Sequence, residues 1–182
     1  MQGCFFIGEK FIFMWNNLYP DLYLNSIYEL EPQFLKDKGI RGIILDMDNT
    51  LVPWGSMDID AETVKWIKYL KDEGFRLCVV SNNSPVRGEN LSSQVGLPGV
   101  WNANKPLRKA FRRALKKMEL RPEEAAAVGD QVFTDVLGGN RLGLYTVLVP
   151  QLTTKDFVWT RIMRRLEKIV LRRINTEKIE EK

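Results

Sequence analysis

From Gly42 to Pro150 the chain alternates between short apolar runs and amphipathic stretches, and this alternation limits the possible folds more than any other feature. "GIRGIILD", "FRLCVVS", "EAAAVGD" and "LYTVLVP" have the length and bounding residues of buried strands. Between them, "DAETVKWIKYLKDEG" sets Val64, Ile67 and Leu70 on one helical face, with Gly74 after the last turn. "PVRGENLSSQVG" is a weaker helix. "KPLRKAFRRALKKMEL" is a strong one, with Pro106 in its first turn and Phe111, Ala114, Leu115 and Met118 lining a face. "QVFTDVLGG" reads as a short helix stopped by Gly138 and Gly139, and "EPQFLKDKG" as another before the first strand. The pattern predicts an α/β fold: a central parallel sheet with helices on both faces and right-handed crossovers.

The 182 residues are enough for one domain with a substantial core. Three parts are expected: an aromatic and helical lead-in over 1–40, the α/β body over 41–150, and a basic amphipathic helix over 151–182. Histidine is absent, which excludes a Ser-His-Asp triad, a Cys-His dyad and a His-ligated zinc site. Cys4 and Cys78 form no disulfide framework and suit a reducing cytoplasm. The start "CFFIGEKFIFMW" is broken by Gly8, Glu9 and Lys10, so no run there spans a bilayer, although contact with a membrane interface suits it. It has neither the basic start nor the cleavage site of a signal peptide.

In such a sheet, ligands bind beyond the carboxyl ends of the strands. The first strand delivers Asp46 and Asp48 there, with Thr50 close behind. The second delivers Ser81, followed by Asn82 and Asn83. The loop before the strong helix brings Lys105, and "AAAVG" brings Asp130, with Asp135 on the next helix. Carboxylates gathered at one edge repel unless a cation sits among them, and Mg²⁺ prefers such hard oxygens together with phosphate oxygens. Lys105, Ser81 and backbone N–H groups suit a phosphate. Together the set fits phosphoryl transfer to an aspartate nucleophile. Taken singly, each residue has an ordinary structural explanation as a cap, an Asx turn or a solvated lysine. Four such coincidences in order are much harder to explain.

"DMDNT", the strand-end Ser81, "NKP" and "GDQVFTD" resemble, in order, the four motifs of haloacid dehalogenase-like phosphohydrolases. "LYPDLYLNSIYEL", "VVSNN" and "GDQVFTDVLGGNRLGLYTVLV" resemble the YqeG family, which is similar to phosphatidylglycerophosphate phosphatases of mitochondria and plastids. The resemblance covers roughly Leu18 to Pro150 and implies a Rossmann-like three-layer α/β/α fold. It also implies roles. Asp46 attacks phosphorus, and Asp48 protonates the leaving group and then activates water. Mg²⁺ is held by the carboxylates of Asp46 and Asp130 and the backbone carbonyl of Asp48, with Asp135 orienting a metal-bound water. Thr50, Ser81, the Asn82 amide and Lys105 serve the substrate, Lys105 by neutralising the phosphate beside Asp46.

Substrate choice in this family often comes from a cap domain inserted after the first or second motif. Neither the stretch from Thr50 to Ser81 nor that from Ser81 to Lys105 has room for one, so a capless, open site is expected. In "KDFVWTRIMRRLEKIVLRRI" an apolar stripe of Val158, Ile162, Leu166, Ile169 and Val170 opposes a face crowded with arginine. Two readings stand: a membrane-surface element, or a helix packed on the domain with a solvated basic face. Contact with nucleic acid is a weaker third, since no interleaved stacking aromatics accompany the charge. The expected substrate is a phosphomonoester, with phosphatidylglycerophosphate favoured at the inner face of a cytoplasmic membrane. A soluble metabolite, a protein or a nucleic-acid end is the alternative, and a non-catalytic phosphate-sensing scaffold is the alternative from another class. Oligomeric state is not legible.

Overall fold

A computed structural model describes residues 16–153. The aromatic start and the expected basic C-terminal helix lie outside the described residues. In chain order the elements are β1 (Leu22–Tyr23), α1 (Pro32–Asp37), β2 (Gly42–Leu45), α2 (Ala61–Asp72), β3 (Arg76–Val80), α3 (Pro85–Val95), β4 (Gly99–Val100), α4 (Arg108–Met118), β5 (Ala125–Gly129), a π-helical turn (Val132–Val136) leading into α5 (Leu137–Asn140), and β6 (Tyr145–Leu148). The strands form one six-stranded sheet in the order β1-β6-β5-β2-β3-β4, with every pairing parallel.

Strand alternation divides the core into two layers. Ile43, Leu45, Leu77, Val79, Ala126 and Val128 face the layer that holds Leu35, Ile67, Leu70 and Leu91, from α1, α2 and α3. Ile44, Cys78, Val80, Ala125 and Ala127 face the opposite layer, where α4 contributes Ala110, Phe111, Ala114, Leu115 and Met118. The alanines of β5 let α4 approach closely, and the fully buried Phe111 fills the space they leave. Burial of such a ring contributes about 1.5–3 kcal/mol. The α/β/α layering expected from the alternation is the observed one.

Several local expectations are corrected. Val64 is exposed; α2 instead buries Thr63, Trp66, Ile67 and Leu70, a stripe that places Val64 off its edge. Pro106 precedes α4 in a turn closed by the Leu107 N–H donating to the Asn104 carbonyl at 3.0 Å, so it is not in the helix's first turn. Gly138 and Gly139 do not stop their helix; they are buried inside it. A Cβ on Gly138 would lie 2.4 Å from the Phe111 ring, and one on Gly139 would lie 2.7 Å from Thr146. Their smallness serves packing. The two-residue strands β1 and β4 are too short to leave a periodic signal, and both were unexpected.

The first central strand, β2, lies between β3 and β5. From β2 the chain winds outward through β3 and β4, then crosses back to β5 and β6. The reversal leaves a crevice beyond the carboxyl ends of β2 and β5, where a ligand site is expected in such a sheet.

Candidate active site

The loop after β2 is built by its own sequence. The Asp46 N–H donates to the Val128 carbonyl at 2.9 Å and continues the pairing with β5 for one more residue. The chain then curls: the N–H groups of Leu51 and Val52 both donate to the Met47 carbonyl, at 2.9 and 3.1 Å. The curl needs a left-handed residue, and Asn49, at φ 61°, supplies it, asparagine being one of the few side chains that tolerate this region. The turn returns Thr50 to the strand end, where its buried hydroxyl donates to Asp46 Oδ2 at 3.2 Å.

Asp46, Asp130 and Asp135 are all buried, and one carboxylate oxygen from each falls in a group spanning no more than 4.8 Å. Lys105 Nζ donates to Asp46 Oδ1, and to Asp135 Oδ1 at 2.7 Å. Asp135 Oδ2 also accepts the Gln131 N–H at 3.2 Å, which pins the carboxylate across the top of β5. Gly129 makes room for it: a Cβ there would come within 2.3 Å of Asp135 Cγ. Burial, aided by nearby Asp46, raises the Asp135 carboxyl to about 6 against the lowering effect of Lys105. For Lys105, burial pulls the ammonium down, but Asp135 and Asp46 outweigh it, and the net shift is upward. Three carboxyl groups beside a single ammonium leave acidic oxygens in excess. A divalent cation is the complement of that excess, and hard oxygen donors this close together fit one.

Asp48 stands apart from this cluster, although it lines the same cleft. Its Oδ1 accepts from Arg87 Nη1 at 2.6 Å and its Oδ2 from Asn83 Nδ2. Arg87 also donates through Nη2 to the Ser56 carbonyl at 2.7 Å, so one guanidinium joins α3, the loop after β2 and the flap beyond it. The two aspartates are thus held by different machinery: Asp46 by Lys105 and Thr50 at the centre, Asp48 by Arg87 and Asn83 at the side.

Ser81 Oγ accepts the Asn83 N–H at 3.1 Å, bracing the turn after β3 while facing the cleft. The Asn82 side chain accepts the Lys105 N–H at 2.8 Å and so fixes the lysine's backbone. The cleft, about 170 Å³, is lined by Asp46, Asp48, Ser81, Asn82 and Lys105 with Asn49, Trp54, Asn83, Gln131 and Thr134. All the expected site residues therefore meet at one strand edge. Thr50 and Asp135 lie just beneath the lining, Asp130 among the buried carboxylates. Arg87, Asn83 and Trp54 had no assigned role. Arg87 could have been noticed as the only basic residue in α3. Among the described residues no inserted domain covers the cleft; a flap and α2 fill the stretch after the first motif, and α3 and β4 the stretch after the second.

The chain is 40% identical over 152 residues to the protein named "Probable phosphatase YqeG" from Bacillus subtilis, covering 84% of this chain and 88% of that one. It belongs to the haloacid dehalogenase-like hydrolases. Family profiles agree: haloacid dehalogenase-like hydrolase over residues 43–104 and HAD-hydrolase-like over 102–156. This hydrolase is also 28% identical to phosphatidylglycerophosphate phosphatase 1 of Arabidopsis thaliana, over 85% of this chain and 47% of that one. Among solved structures, the cobalt-bound deoxy-D-mannose-octulosonate 8-phosphate phosphatase of Haemophilus influenzae shares the fold at a TM-score of 0.51 and 16% identity, over 75% of this chain and 90% of that one.

Proposed function

We propose that the protein is a Mg²⁺-dependent phosphomonoester phosphatase with Asp46 as nucleophile, and that its substrate is phosphatidylglycerophosphate. The observation that carries the chemistry is the buried Asp46–Lys105–Asp135 arrangement beside Asp130, with Asp48 held separately at the same cleft. The carboxylates of Asp46 and Asp130 and the backbone carbonyl of Asp48 would hold the ion, with Asp135 orienting its water. When bound, Mg²⁺ supplies electrostatic stabilisation of the phosphoryl oxygens.

The protein's own residues carry the rest. Lys105 and Thr50 fix the Asp46 carboxylate, and Ser81 and the Asn82 N–H receive phosphoryl oxygens. An Asp46 oxygen bonds to phosphorus as the ester oxygen departs, and Asp48 gives that oxygen its proton. Asp48 then takes a proton from water, which attacks phosphorus and releases Asp46 and inorganic phosphate.

The lipid reading is supported by extent of similarity. The phosphatidylglycerophosphate phosphatases of Arabidopsis thaliana and Chlamydomonas reinhardtii match 85% and 81% of this chain, and the capless cleft admits a bulky leaving group. A soluble phosphomonoester is the second reading. It is favoured by 28% identity to the glyceraldehyde 3-phosphate phosphatase of Pyrococcus furiosus, over only 46% of this chain. Phosphate release should be measured on phosphatidylglycerophosphate, glyceraldehyde 3-phosphate and an aryl phosphate, with chelator and then with added Mg²⁺. The proposal expects loss in chelator, recovery with Mg²⁺, and the highest kcat/KM on the lipid. Full activity in chelator would refute the metal. A lipid value no higher than the others would refute the substrate.

A further inference from the structure

The cleft itself is lined mainly by polar side chains, but the segments around its mouth carry exposed apolar residues that the phosphoryl chemistry does not use. Among the described residues, ten large apolar side chains are exposed, and five of them sit on segments that border this mouth: Trp54, Met57, Val86, Leu107 and Leu152. Trp54 lines the cleft from the flap, and Met57 follows Ser56, the flap residue gripped by Arg87. Val86 precedes Arg87 at the start of α3 and is 81% exposed, the most exposed of the ten. Leu107 lies two residues after Lys105. The five are drawn from four separate segments, so their concentration at one end of the sheet is not the surplus of one amphipathic helix.

The chain beyond the described residues starts at the same place. The Leu152 N–H donates to the Asn49 carbonyl at 3.1 Å, and Thr153 Oγ1 donates to Asn49 Oδ1 at 2.8 Å. Asn49 Oδ1 also accepts the Trp54 N–H at 3.3 Å. One asparagine in the catalytic loop therefore ties the flap to the point where the last 29 residues begin. Those residues hold nine Lys/Arg and five Asp/Glu, a net charge of +4. The whole chain is also +4, so the first 153 residues are electrically balanced. All of the protein's excess positive charge lies in the sequence that follows Thr153.

An apolar rim beside a cationic segment matches one kind of partner: the surface of an anionic bilayer, where apolar side chains enter the acyl boundary and Lys/Arg meet the headgroups. We propose that the cleft mouth is a membrane-docking face, with Met57, Val86 and Leu107 entering the interface and the residues after Thr153 binding anionic headgroups, so that the cleft opens directly onto the lipid surface. The proposal rests on the lipid reading of the substrate. It adds the orientation and names body residues that the chemistry does not use.

The test uses the full chain with Met57, Val86 and Leu107 each changed to Ser, and a second full-length variant with Arg161, Arg164, Arg165, Arg172 and Arg173 changed to Gln. Each is sedimented with phosphatidylcholine vesicles lacking or containing phosphatidylglycerol, at low and high salt. Turnover is measured on a soluble aryl phosphate and on phosphatidylglycerophosphate in detergent micelles. The wild type should bind the anionic vesicles and be released by salt, because screening shortens the reach of the arginines. The rim variant should bind about tenfold more weakly and keep its aryl phosphate kcat/KM. The arginine variant should lose the preference for phosphatidylglycerol. Wild-type binding by the rim variant would overturn the proposal, as would a wild type that ignores both vesicle types. If the residues after Thr153 instead cover the rim, the rim variant should turn over aryl phosphate faster with vesicle binding unchanged, which also overturns it. Rim-dependent vesicle binding without hydrolysis of the micellar lipid would uphold the docking face and refute the substrate. Hydrolysis in micelles without vesicle binding would do the reverse.

Discussion

The two ends of the sheet make a useful contrast. At the amino end, a cavity of about 620 Å³ is lined by Asn16, Tyr19, Asp21, Lys38, Asn140 and Tyr145 among others. At the carboxyl end, the cleft is less than a third of that volume. The larger space is nevertheless chemically settled. Asp21 Oδ2 accepts the Thr146 N–H at 2.7 Å and lies 3.0 Å from its hydroxyl, while Asn140 Nδ2 donates to the carbonyls of Asn17 and Tyr19. Those groups staple the lead-in to β6 and satisfy one another. At the carboxyl end, Asp46 and Asp135 share Lys105, with the buried carboxylate of Asp130 beside them. Function follows uncompensated charge in a fixed frame, not volume.

One pair of substitutions would test the contrast most severely. Asp46→Asn keeps shape but removes the charge that attacks phosphorus in the proposed mechanism, so turnover of any phosphomonoester should fall by about a thousandfold or more, with an unchanged circular dichroism spectrum. Asp21→Asn at the opposite end should leave kcat within about twofold and lower stability by about 1 kcal/mol, through weakened hydrogen bonds to Thr146. Equal effects of the two on turnover would erase the distinction.

Within the carboxyl end, the comparison sharpens to Asp46 against Asp48. Arg87→Met leaves the contacts of Asp46 intact but frees Asp48 from α3 and the flap. If Asp48 acts as the acid and Arg87 positions it, an alkyl phosphate should lose about tenfold more kcat than an activated aryl phosphate, whose leaving group needs no proton. Arg87→Lys should recover part of the difference. Equal losses on both substrates would make Arg87 a structural clasp only.

The smallest effect concerns a group that belongs to neither end. Cys78 lies in the middle of β3, and burial pushes its thiol up to about 11, Lys117 pulling weakly the other way. The folded state therefore disfavours the thiolate. This site's contribution to stability is present below the ordinary thiol value of about 9 and is lost as pH rises through about 11. With Cys4 changed to Ser, a thiol reagent at pH 8 should label Cys78 only as fast as the protein unfolds. Rapid labelling of the native protein would show that the strand opens.

Much of this was legible in the sequence, for identifiable reasons. Four strands and all five helices announced themselves through apolar runs, periodic faces and end signals, and the strand-end rule gathered Asp46, Ser81, Lys105 and Asp130 without coordinates. What escaped was what periodicity does not encode. The strands β1 and β4 are two residues long and exist because longer neighbours offer them an edge. Gly138 and Gly139 looked like stops, because the ring of Phe111 and the methyl of Thr146 that require them lie far off in sequence. Arg87 went unassigned because its role depends on reaching Asp48 across 39 residues. The sequence pattern brought Asp46, Asp48, Lys105 and Thr50 to one strand end, but not the contacts of Arg87 and Asn83 that hold Asp48.

The account's central claim is that Asp46 carries the phosphoryl group. It is tested most directly by quenching the enzyme in acid during turnover and mapping the product by mass spectrometry. Asp48→Asn serves best for this, because loss of the base should slow release of the intermediate when the leaving group is an activated aryl alcohol. The account predicts one phosphoryl group on the peptide containing Asp46, labile to mild base and absent when Asp46 is also changed to Asn. Sustained turnover with no phosphoryl group on that peptide, or with the group on another residue, would contradict it.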